Sequence, residues 1–258
     1  MTTVPIAQAG GRTSAAAMLR VEMSDGLRAI YREPTALLFS IAMPLAFFLL
    51  FASLYGREVV DGTPVGTTML ATFGTFGVMA VTLMNPGLTV ADERERGWLR
   101  AKRVTALPTW VLLTGKVIAS LPYAVGVLAA MSIAAAALGA LSADLVTLLR
   151  LVGVMVLGAL PFALISLAVG FRAGSNAGAA ILNAILIPSA VASGLWIPLD
   201  QLPAVFSDIA PFLPTYHLAQ LGLSQLSGGP VLTHILVLIA TAGLAGALAA
   251  LSYRSSPP

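Results

Sequence analysis

The chain has few of the residues from which soluble enzymes build their sites. It has no cysteine and only two histidines, His217 and His234, which excludes disulfide frameworks and leaves little for a metal cluster. Charged residues make up only 10% of the 258 residues, whereas a soluble globular chain is typically about 25% charged. Hydrophobic residues make up 58%. A water-soluble fold of this length could not bury so much apolar surface, so the composition predicts a membrane protein.

Six apolar segments are long enough to cross a bilayer, because a hydrocarbon core about 30 Å thick needs roughly 20 apolar residues in a helix. They are residues 35–55, 65–90, 109–138, 145–170, 177–197 and 231–252. Each of the first five contains one proline, which bends a helix in a bilayer. The sequence therefore predicts an all-α membrane protein whose six-span transmembrane domain comprises residues 35–252.

The positive charges predict the orientation of these spans. With a cytoplasmic N-terminus, only Arg57 and Arg150 fall outside. The inner segments hold Arg12, Arg20, Arg28, Arg32, Arg94, Arg96, Arg100, Lys102, Arg103, Arg172 and Arg254. Because lysine and arginine are enriched in cytoplasmic loops, we expect both termini in the cytoplasm, with residues 253–258 as the C-terminal tail.

Two further segments are apolar without being long enough to cross. Within the N-terminal region 1–34, apolar residues recur at helical spacing while charged residues face elsewhere, which predicts an interfacial amphipathic helix that ends at Pro34. The segment 198–230 carries an apolar face of about 12 residues, too short to span, and several prolines. We expect short re-entrant helices there that dip into the outer leaflet or cap the bundle.

The most charged segment of the chain, 91–108, lies between the second and third spans on the predicted cytoplasmic side. Charged groups on a short rigid segment can dock into a groove of a partner protein. The candidate coupling residues are Glu93, Glu95, Arg96, Gly97 and Trp98. Positive-inside anchoring alone explains the bases that follow, but it does not explain the paired glutamates or the glycine.

Polar side chains recur every seven residues in the second and fifth spans, so they share a helix face. The candidate residues for a translocation pathway are Thr72, Thr75, Thr82, Asn85 and Asn183. Small and polar residues also join helices in lipid, so helix packing and pathway lining both stay open as interpretations.

Other energy sources and activities lack their residues. Every acid falls in a loop, an interfacial segment or a span edge, whereas proton-driven carriers place acids or histidines inside spans. No intramembrane protease pair is evident, and His234 has no evident partner in the sequence. A phosphate-binding loop needs glycine-rich backbone followed by Lys and Ser or Thr, and neither Lys102 nor Lys116 has that context.

Four motifs, in this order, resemble the membrane subunits of ABC-2 type ABC transporters. They are YREP at 31–34, ERERGWLRAKRVTALP at 93–108, SGLWIPLDQLP at 193–203 and APFLPTYHLAQ at 210–220. Such families often have threonine after the glycine of the cytoplasmic motif, where this chain has Trp98. The first outer loop, 56–68, is short, as in the small drug- and lipid-exporting members of the family. The chain therefore resembles the permeases of daunorubicin-resistance transporters.

The resemblance implies a permease subunit of an ATP-driven exporter in the bacterial cytoplasmic (inner) membrane. Its cargo would be an amphiphilic small molecule, such as a drug or antibiotic, or a lipid, with roles in multidrug efflux and antibiotic resistance. The implied partners are membrane lipids, a second permease copy in a homodimer or a similar heterodimer, and two ABC ATPase subunits that carry ATP and Mg²⁺.

The chain itself is then expected to bind no cofactor, metal or nucleic acid and to have no catalytic residue. LSGGP at 226–230 looks like the ABC ATPase signature, but it precedes a span on the predicted outer side and is interpreted as a turn. In the family the first, second and fifth spans surround the route, which favours Asn85 and Asn183. The competing function class is an ATP-independent membrane scaffold or assembly factor.

Overall fold

The computed structural model describes residues 14–32, 34–60, 62–100 and 108–255, and no side chain is described at positions 29–39. The described chain is mostly helical. Its α-helices are α1 Ala15–Arg32, α2 Pro34–Tyr55, α3 Val65–Glu95, α4 Thr109–Ala137, α5 Leu145–Gly158, α6 Leu160–Gly170, α7 Ser175–Ala192, α8 Ala204–Ile209, α9 Pro214–Ser227 and α10 Leu232–Ser255. One departure from the predicted all-α class is a two-stranded antiparallel hairpin, β1 Val59–Val60 and β2 Thr63–Pro64.

Several of these helices have the length and apolarity of membrane spans. Within the described residues five qualify: α3, α4, the segment Leu145–Gly170 that contains α5 and α6, α7, and α10. Within α2, the part whose side chains are described, Ser40–Tyr55, is a shorter apolar helix. The chain is therefore a multi-pass membrane protein, and the count of six spans stays a prediction.

Helix α3 is the centre of the bundle. It packs against α2, α4, α6, α7 and α9. Of the residues in its most apolar 18-residue stretch, 72% are buried inside the chain, whereas the corresponding share for α10 is 17%. Large side chains of α3, among them Phe73, Phe76 and Met79, are fully buried in the main core cluster. The other spans surround α3 and turn apolar faces outward, as expected where lipid or another membrane protein is the neighbour.

Glycines allow α3 and α6 to cross at very short distance. A Cβ at Gly87 would lie 2.3 Å from the Ser166 carbonyl oxygen, and one at Gly170 would lie 2.2 Å from the Gly87 carbonyl oxygen. The backbone N–H of Gly87, next to Pro86, donates to Ser166 Oγ at 2.7 Å. Small residues permit this kind of backbone approach between helices in membranes.

The predicted fourth span is two helices rather than one. Helix α5 ends at Gly158 and α6 begins at Leu160, with Ala159 as the cap between them, and Pro161 occupies the first turn of α6. Proline is tolerated there because the first N–H groups of a helix have no intrahelical partner. The predicted fifth span is shorter than expected: α7 ends at Ala192, and Gly194 has a positive φ of 69°.

The segment between α7 and α10 consists of short helices, as the sequence analysis expected. Two 3₁₀ turns, Leu199–Gln201 and Ala210–Phe212, flank α8, and the longer α9 follows. Helix α9 is partly buried and packs against α3, α5 and α10. Insertion of these helices into a leaflet stays a prediction.

Candidate functional site

Helix α3 continues past its apolar part and ends in a sharp turn. The backbone N–H of Arg96 donates to the Asp92 carbonyl at 2.9 Å, and the N–H of Gly97 donates to the Arg94 carbonyl at 3.0 Å. Gly97 has a φ of +77°, the left-handed conformation in which glycine commonly ends a helix. Trp98 follows and is 63% exposed. Gly97 thus has a structural reason to be glycine, and the turn presents Trp98 at the surface.

Glu93 reaches the neighbouring helix α4. Its Oε1 lies 2.5 Å from Lys116 Nζ, and the side chains of Glu93 and Lys116 are only 21% and 9% exposed. Lys116 lies in a helix that is otherwise apolar, where a buried cation requires an anionic partner. The ion pair therefore attaches the end of α3 to α4.

Arg94 reaches the end of helix α6. Its Nη1 donates to the Phe171 carbonyl at 2.8 Å, and Phe171 is the residue that caps α6. The last carbonyls of a helix lack intrahelical partners and carry a partial negative charge, so a cation is favourable there. This contact attaches the end of α3 to α6.

Glu95 reaches the beginning of helix α7. Its Oε1 accepts from the Ser175 backbone N–H at 2.8 Å, and its Oε2 accepts from the Ser175 hydroxyl at 3.0 Å. These hydrogen bonds lower the pKa of the Glu95 carboxyl, the backbone N–H having the largest effect. A carboxylate is favourable at the positive N-terminal end of a helix. Glu95 lies beyond the apolar part of α3, so this contact attaches α7 to the charged end of α3.

Three consecutive residues therefore contact three different helices. Successive side chains on an α-helix are about 100° apart, and α4, α6 and α7 surround this end of α3. We call Glu93, Arg94 and Glu95, together with Lys116, Phe171 and Ser175, the α3 junction. It is a charged connection in which Glu93, Arg94 and Glu95 each have their own partner on another helix.

The α3 junction changes the interpretation of the predicted coupling residues. Glu93 and Glu95 contact other helices of the same chain instead of projecting outward. Arg96 pairs with Asp92 at 2.9 Å, with 68% of its side chain exposed, and Trp98 is exposed as well. Lys102 and Arg103 lie outside the described residues. A coupling role for the five residues stays a prediction. Glu95, Arg96 and Trp98 are exposed, and Glu95 is hydrogen-bonded to Ser175 of α7.

The predicted pathway residues of α3 are largely inside the bundle. Thr75 and Thr82 are 0% and 1% exposed. Their hydroxyls donate to the carbonyls of Ala71 and Val78 in their own helix, at 2.8 and 2.7 Å. Thr72 is half-buried and donates to Met69 at 3.4 Å. For the threonines this geometry favours helix packing.

The two asparagines differ from the threonines and from each other. Asn85 Nδ2 is buried and has no hydrogen-bond acceptor among the described residues. Asn183 is exposed on α7, where its Nδ2 donates to the Ala179 carbonyl at 2.9 Å. Asn183 therefore presents its amide to the molecules that cover α7, whereas Asn85 carries a buried donor within α3.

Two histidines that the sequence analysis left apart are in contact. His217 Nδ1 lies 2.8 Å from His234 Nδ1, and His217 Nε2 lies 2.8 Å from the Pro211 carbonyl oxygen. The sequence showed no protease partner for His234; in the structure α9 folds back against α10 and brings His217 to it. Two histidines flanking a loop in a chain that otherwise lacks them were the available signal.

An aromatic cluster was also missed. The indole of Trp196 stacks on Phe47 with centroids 5.8 Å apart and meets the edge of Phe76 at 4.9 Å. It joins the segment after α7 to α2 and α3. The loop position of Trp196 concealed its role, because burial of a loop residue depends on tertiary packing that hydropathy does not report.

The chain is similar to a known family and to a named bacterial protein over most of its length. Residues 19–226 match the family described as ABC-2 type transporter. A chain of Bacillus subtilis (strain 168) named "Putative transport permease YvfS" is 28% identical over 220 residues, which cover 83% of this chain and 88% of that one. The family match includes the α3 junction, the turn after it and most of the segment between α7 and α10.

Proposed function

The chain belongs to the ABC-2 type transporter family and is a transport permease subunit, and we propose that it is the membrane part of an ATP-driven exporter. Family membership implies association with an ABC ATPase. We propose two ATPase copies that bind ATP and Mg²⁺, a second permease copy, and a location in the bacterial inner membrane with cytoplasmic termini. The permease would then contribute the route, and the partner would supply the energy.

The α3 junction is the observation that carries this proposal. The turn at Arg96–Trp98 is exposed, while the three residues before it are attached to α4, α6 and α7. A force applied to the turn is therefore delivered to three spans at once, instead of being absorbed by a flexible loop. This is the arrangement that a permease needs if a separate ATPase is to open and close it.

The exposed part of the turn has the chemistry of a docking site. Trp98 offers a large, rigid apolar surface, and Arg96 offers a guanidinium that is still largely exposed. Tryptophan and arginine are the residues most enriched at energetically important positions of protein interfaces. Gly97 fixes the direction in which Trp98 projects. We therefore assign docking to Arg96 and Trp98, and transmission to Glu93 and Glu95.

The outward face of α7 supports a second permease copy. Only 22% of the residues in the most apolar 18-residue stretch of α7 are buried within one chain. Exposing the Asn183 amide on this face to lipid would cost free energy. A partner copy or an aqueous route would provide the amide with polar neighbours. An amphiphilic drug or a lipid as cargo suits walls that are mostly apolar with a few such amides.

Co-purification tests the proposal. A tagged full chain should retain an ABC ATPase after detergent extraction and should raise its ATP hydrolysis when cargo is added. We expect Trp98→Ala to weaken this association about thirtyfold or more, because hot-spot residues cost about 2 kcal/mol or more when truncated. The control Phe212→Ala removes another exposed aromatic, from the opposite end of the bundle, and should have no effect.

The same experiment separates exporter from scaffold. If the full chain neither associates with an ATPase nor changes its hydrolysis, the ATP-independent scaffold or assembly factor is the correct class. If association occurs and Trp98→Ala leaves it intact, the docking assignment is wrong while the function stands.

Cysteine labelling tests the orientation separately, because the chain has no native cysteine. In intact cells, Gly228→Cys should react with an impermeant thiol reagent, whereas Arg100→Cys should react only after permeabilisation. Labelling of Arg100→Cys in intact cells would reverse the proposed orientation. Both positions are exposed in the structure, so burial does not account for a lack of reaction.

A further inference from the structure

A cavity of about 360 Å³ lies between α6, α7 and α10, and we call it the α6–α10 cavity. Most of its wall is apolar. The apolar lining residues are Ile165, Ala168, Val169, Ala173, Ile181, Ala245 and Leu248. The apolar part of such a cavity is unsuited to ordered water, because a buried water needs several polar partners. In a membrane the material at hand to fill it is an acyl chain.

One part of the α6–α10 cavity is polar and cationic. Arg172, in the turn between α6 and α7, lines it together with Ser252 near the end of α10. Arg172 Nη2 donates to Ser255 Oγ at 2.5 Å. No described carboxylate forms an ion pair with Arg172. A guanidinium has five N–H donors, and within the described residues those not used by Ser255 are available to a ligand.

We propose that the α6–α10 cavity binds an anionic phospholipid of the inner leaflet, with one acyl chain between the helices and the phosphate on Arg172. The guanidinium matches phosphate oxygens with two parallel hydrogen bonds. Basic pockets between transmembrane helices on the cytoplasmic side bind anionic lipid headgroups. Lipid binding is separate from the proposed transport function. Only the assignment to the inner leaflet rests on the proposed orientation.

The position of the site gives the lipid a structural consequence. Arg172 directly follows Phe171, whose carbonyl accepts from Arg94 of the α3 junction. A phosphate on Arg172 would therefore hold the α6–α7 turn from one side while Arg94 holds it from the other. The cavity itself involves α10, which is the least enclosed of the candidate spans, so an acyl chain there would fill space that the protein leaves open.

Native mass spectrometry of the delipidated full chain in detergent tests this proposal. The probes are dioleoyl phosphatidylglycerol and dioleoyl phosphatidylcholine, which share acyl chains and differ in headgroup charge. We expect one phosphatidylglycerol to bind in preference to phosphatidylcholine. Arg172→Gln should lower its affinity about fivefold or more, as expected for loss of one basic group beside an anionic lipid.

Two further variants separate the headgroup from the acyl chain. Ala168→Leu fills part of the cavity and should weaken both lipids, while Arg172→Lys keeps the charge and should retain part of the preference. The control Arg150→Gln removes an exposed arginine from α5 and should change nothing. Equal binding of the two lipids, or an unchanged preference in Arg172→Gln, would overturn the proposal.

The result does not depend on the proposed function. Binding is measured without an ATPase and in a detergent that has no sidedness, so a failed transport assay leaves the lipid result standing. Conversely, absence of a bound lipid would leave ATPase association untouched. Retention of phosphatidylglycerol by Ala168→Leu with full affinity would place the acyl chain elsewhere and would also reject the site.

Discussion

The Glu95 carboxylate accepts two hydrogen bonds from Ser175, one from its backbone N–H at 2.8 Å and one from its hydroxyl at 3.0 Å. Ser175 is the first residue of α7, and its preceding cap, Gly174, provides no side-chain hydrogen bond. A residue of α3 therefore does for α7 what an N-cap side chain normally does within one helix. A Cβ at Gly174 would lie 2.8 Å from Glu95 Oε1, so that glycine leaves room for the carboxylate.

We predict that Glu95→Ala uncouples α7 from α3. Stimulation of ATP hydrolysis by cargo should fall at least fivefold, the lower limit of typical coupling between sites, while basal hydrolysis by the ATPase stays constant. Glu95→Gln keeps an acceptor oxygen and should be milder. The control is Glu58→Ala, which removes an exposed glutamate at the other end of the bundle. Full stimulation in Glu95→Ala would show that this contact does not transmit motion.

The pH dependence of the same contact has a definite sign. The pKa of Glu95 lies below its ordinary value of 4.5, because Ser175 donates two hydrogen bonds to the charged form. A lowered pKa means that the stabilisation is present above the ordinary pKa and is lost as pH falls through the lowered one. Stimulated hydrolysis should therefore show no Glu95-dependent change around neutral pH, and its loss should require acid below the ordinary pKa.

We predict that the Lys116–Glu93 ion pair is costly to break from one side. Lys116→Met leaves the Glu93 carboxylate largely buried without this cation and should lower stability by about 3 kcal/mol, a value typical of buried pairs that lose one partner. The double variant Lys116→Met/Glu93→Gln should recover a large part of that loss. Thermal unfolding in detergent measures both, and equal losses in single and double variants would contradict a buried pair.

Hydropathy predicted the bounds of the helices well where contact with lipid or with the core determines them. Helix α4 begins at the predicted residue, Thr109, and ends one residue early at Ala137. Helix α3 was predicted to end at Val90 and instead continues to Glu95. The charges of that extension have partners on α4, α6 and α7, which lie far along the chain. Apolarity alone could not reveal contacts of this range.

The sequence singled out Glu93 and Glu95 but not the contacts that they make, and their role in coupling stays a prediction. The sequence indicated that Glu93 and Glu95 are special, because anchoring does not require acids, yet it did not supply their partners. Lys116 was the overlooked signal, since a lysine within an apolar helix needs a nearby anion. Ser175 offered no such signal, because serine at the start of a helix is ordinary.

We predict that Gly87 cannot be replaced by alanine. The added Cβ would lie 2.3 Å from the Ser166 carbonyl oxygen, so α3 and α6 would have to separate, at a cost of about 1–3 kcal/mol or more. Gly243→Ala in α10 is the matched control, because nothing lies within 4 Å of its added Cβ. Melting temperatures in detergent should fall for Gly87→Ala only, and equal melting of the two variants would disprove the close crossing.

We predict different results for two residues that the sequence analysis treated alike. Thr75→Val should leave transport and dimerisation nearly unchanged, because the Thr75 hydroxyl bonds only to Ala71 of its own helix in the described structure. Asn183→Leu should alter cargo range or association of the two permease copies, because its amide faces outward. Transport assays and cross-linking decide this, and a strong transport defect in Thr75→Val would restore that threonine to the pathway.

We predict that the two histidines stabilise the packing of α9 on α10 as a pair. The Pro211 carbonyl can only accept, so His217 Nε2 carries a proton, and in the neutral ring Nδ1 accepts from His234 Nδ1–H. His217→Ala removes both hydrogen bonds and should cost about 2 kcal/mol, whereas His234→Ala removes one and should cost about 1 kcal/mol. The double variant should be scarcely less stable than His217→Ala, because the shared bond is lost only once. Thermal unfolding of the three variants measures this coupling, and strictly additive losses would mean that the two rings are neighbours without a hydrogen bond.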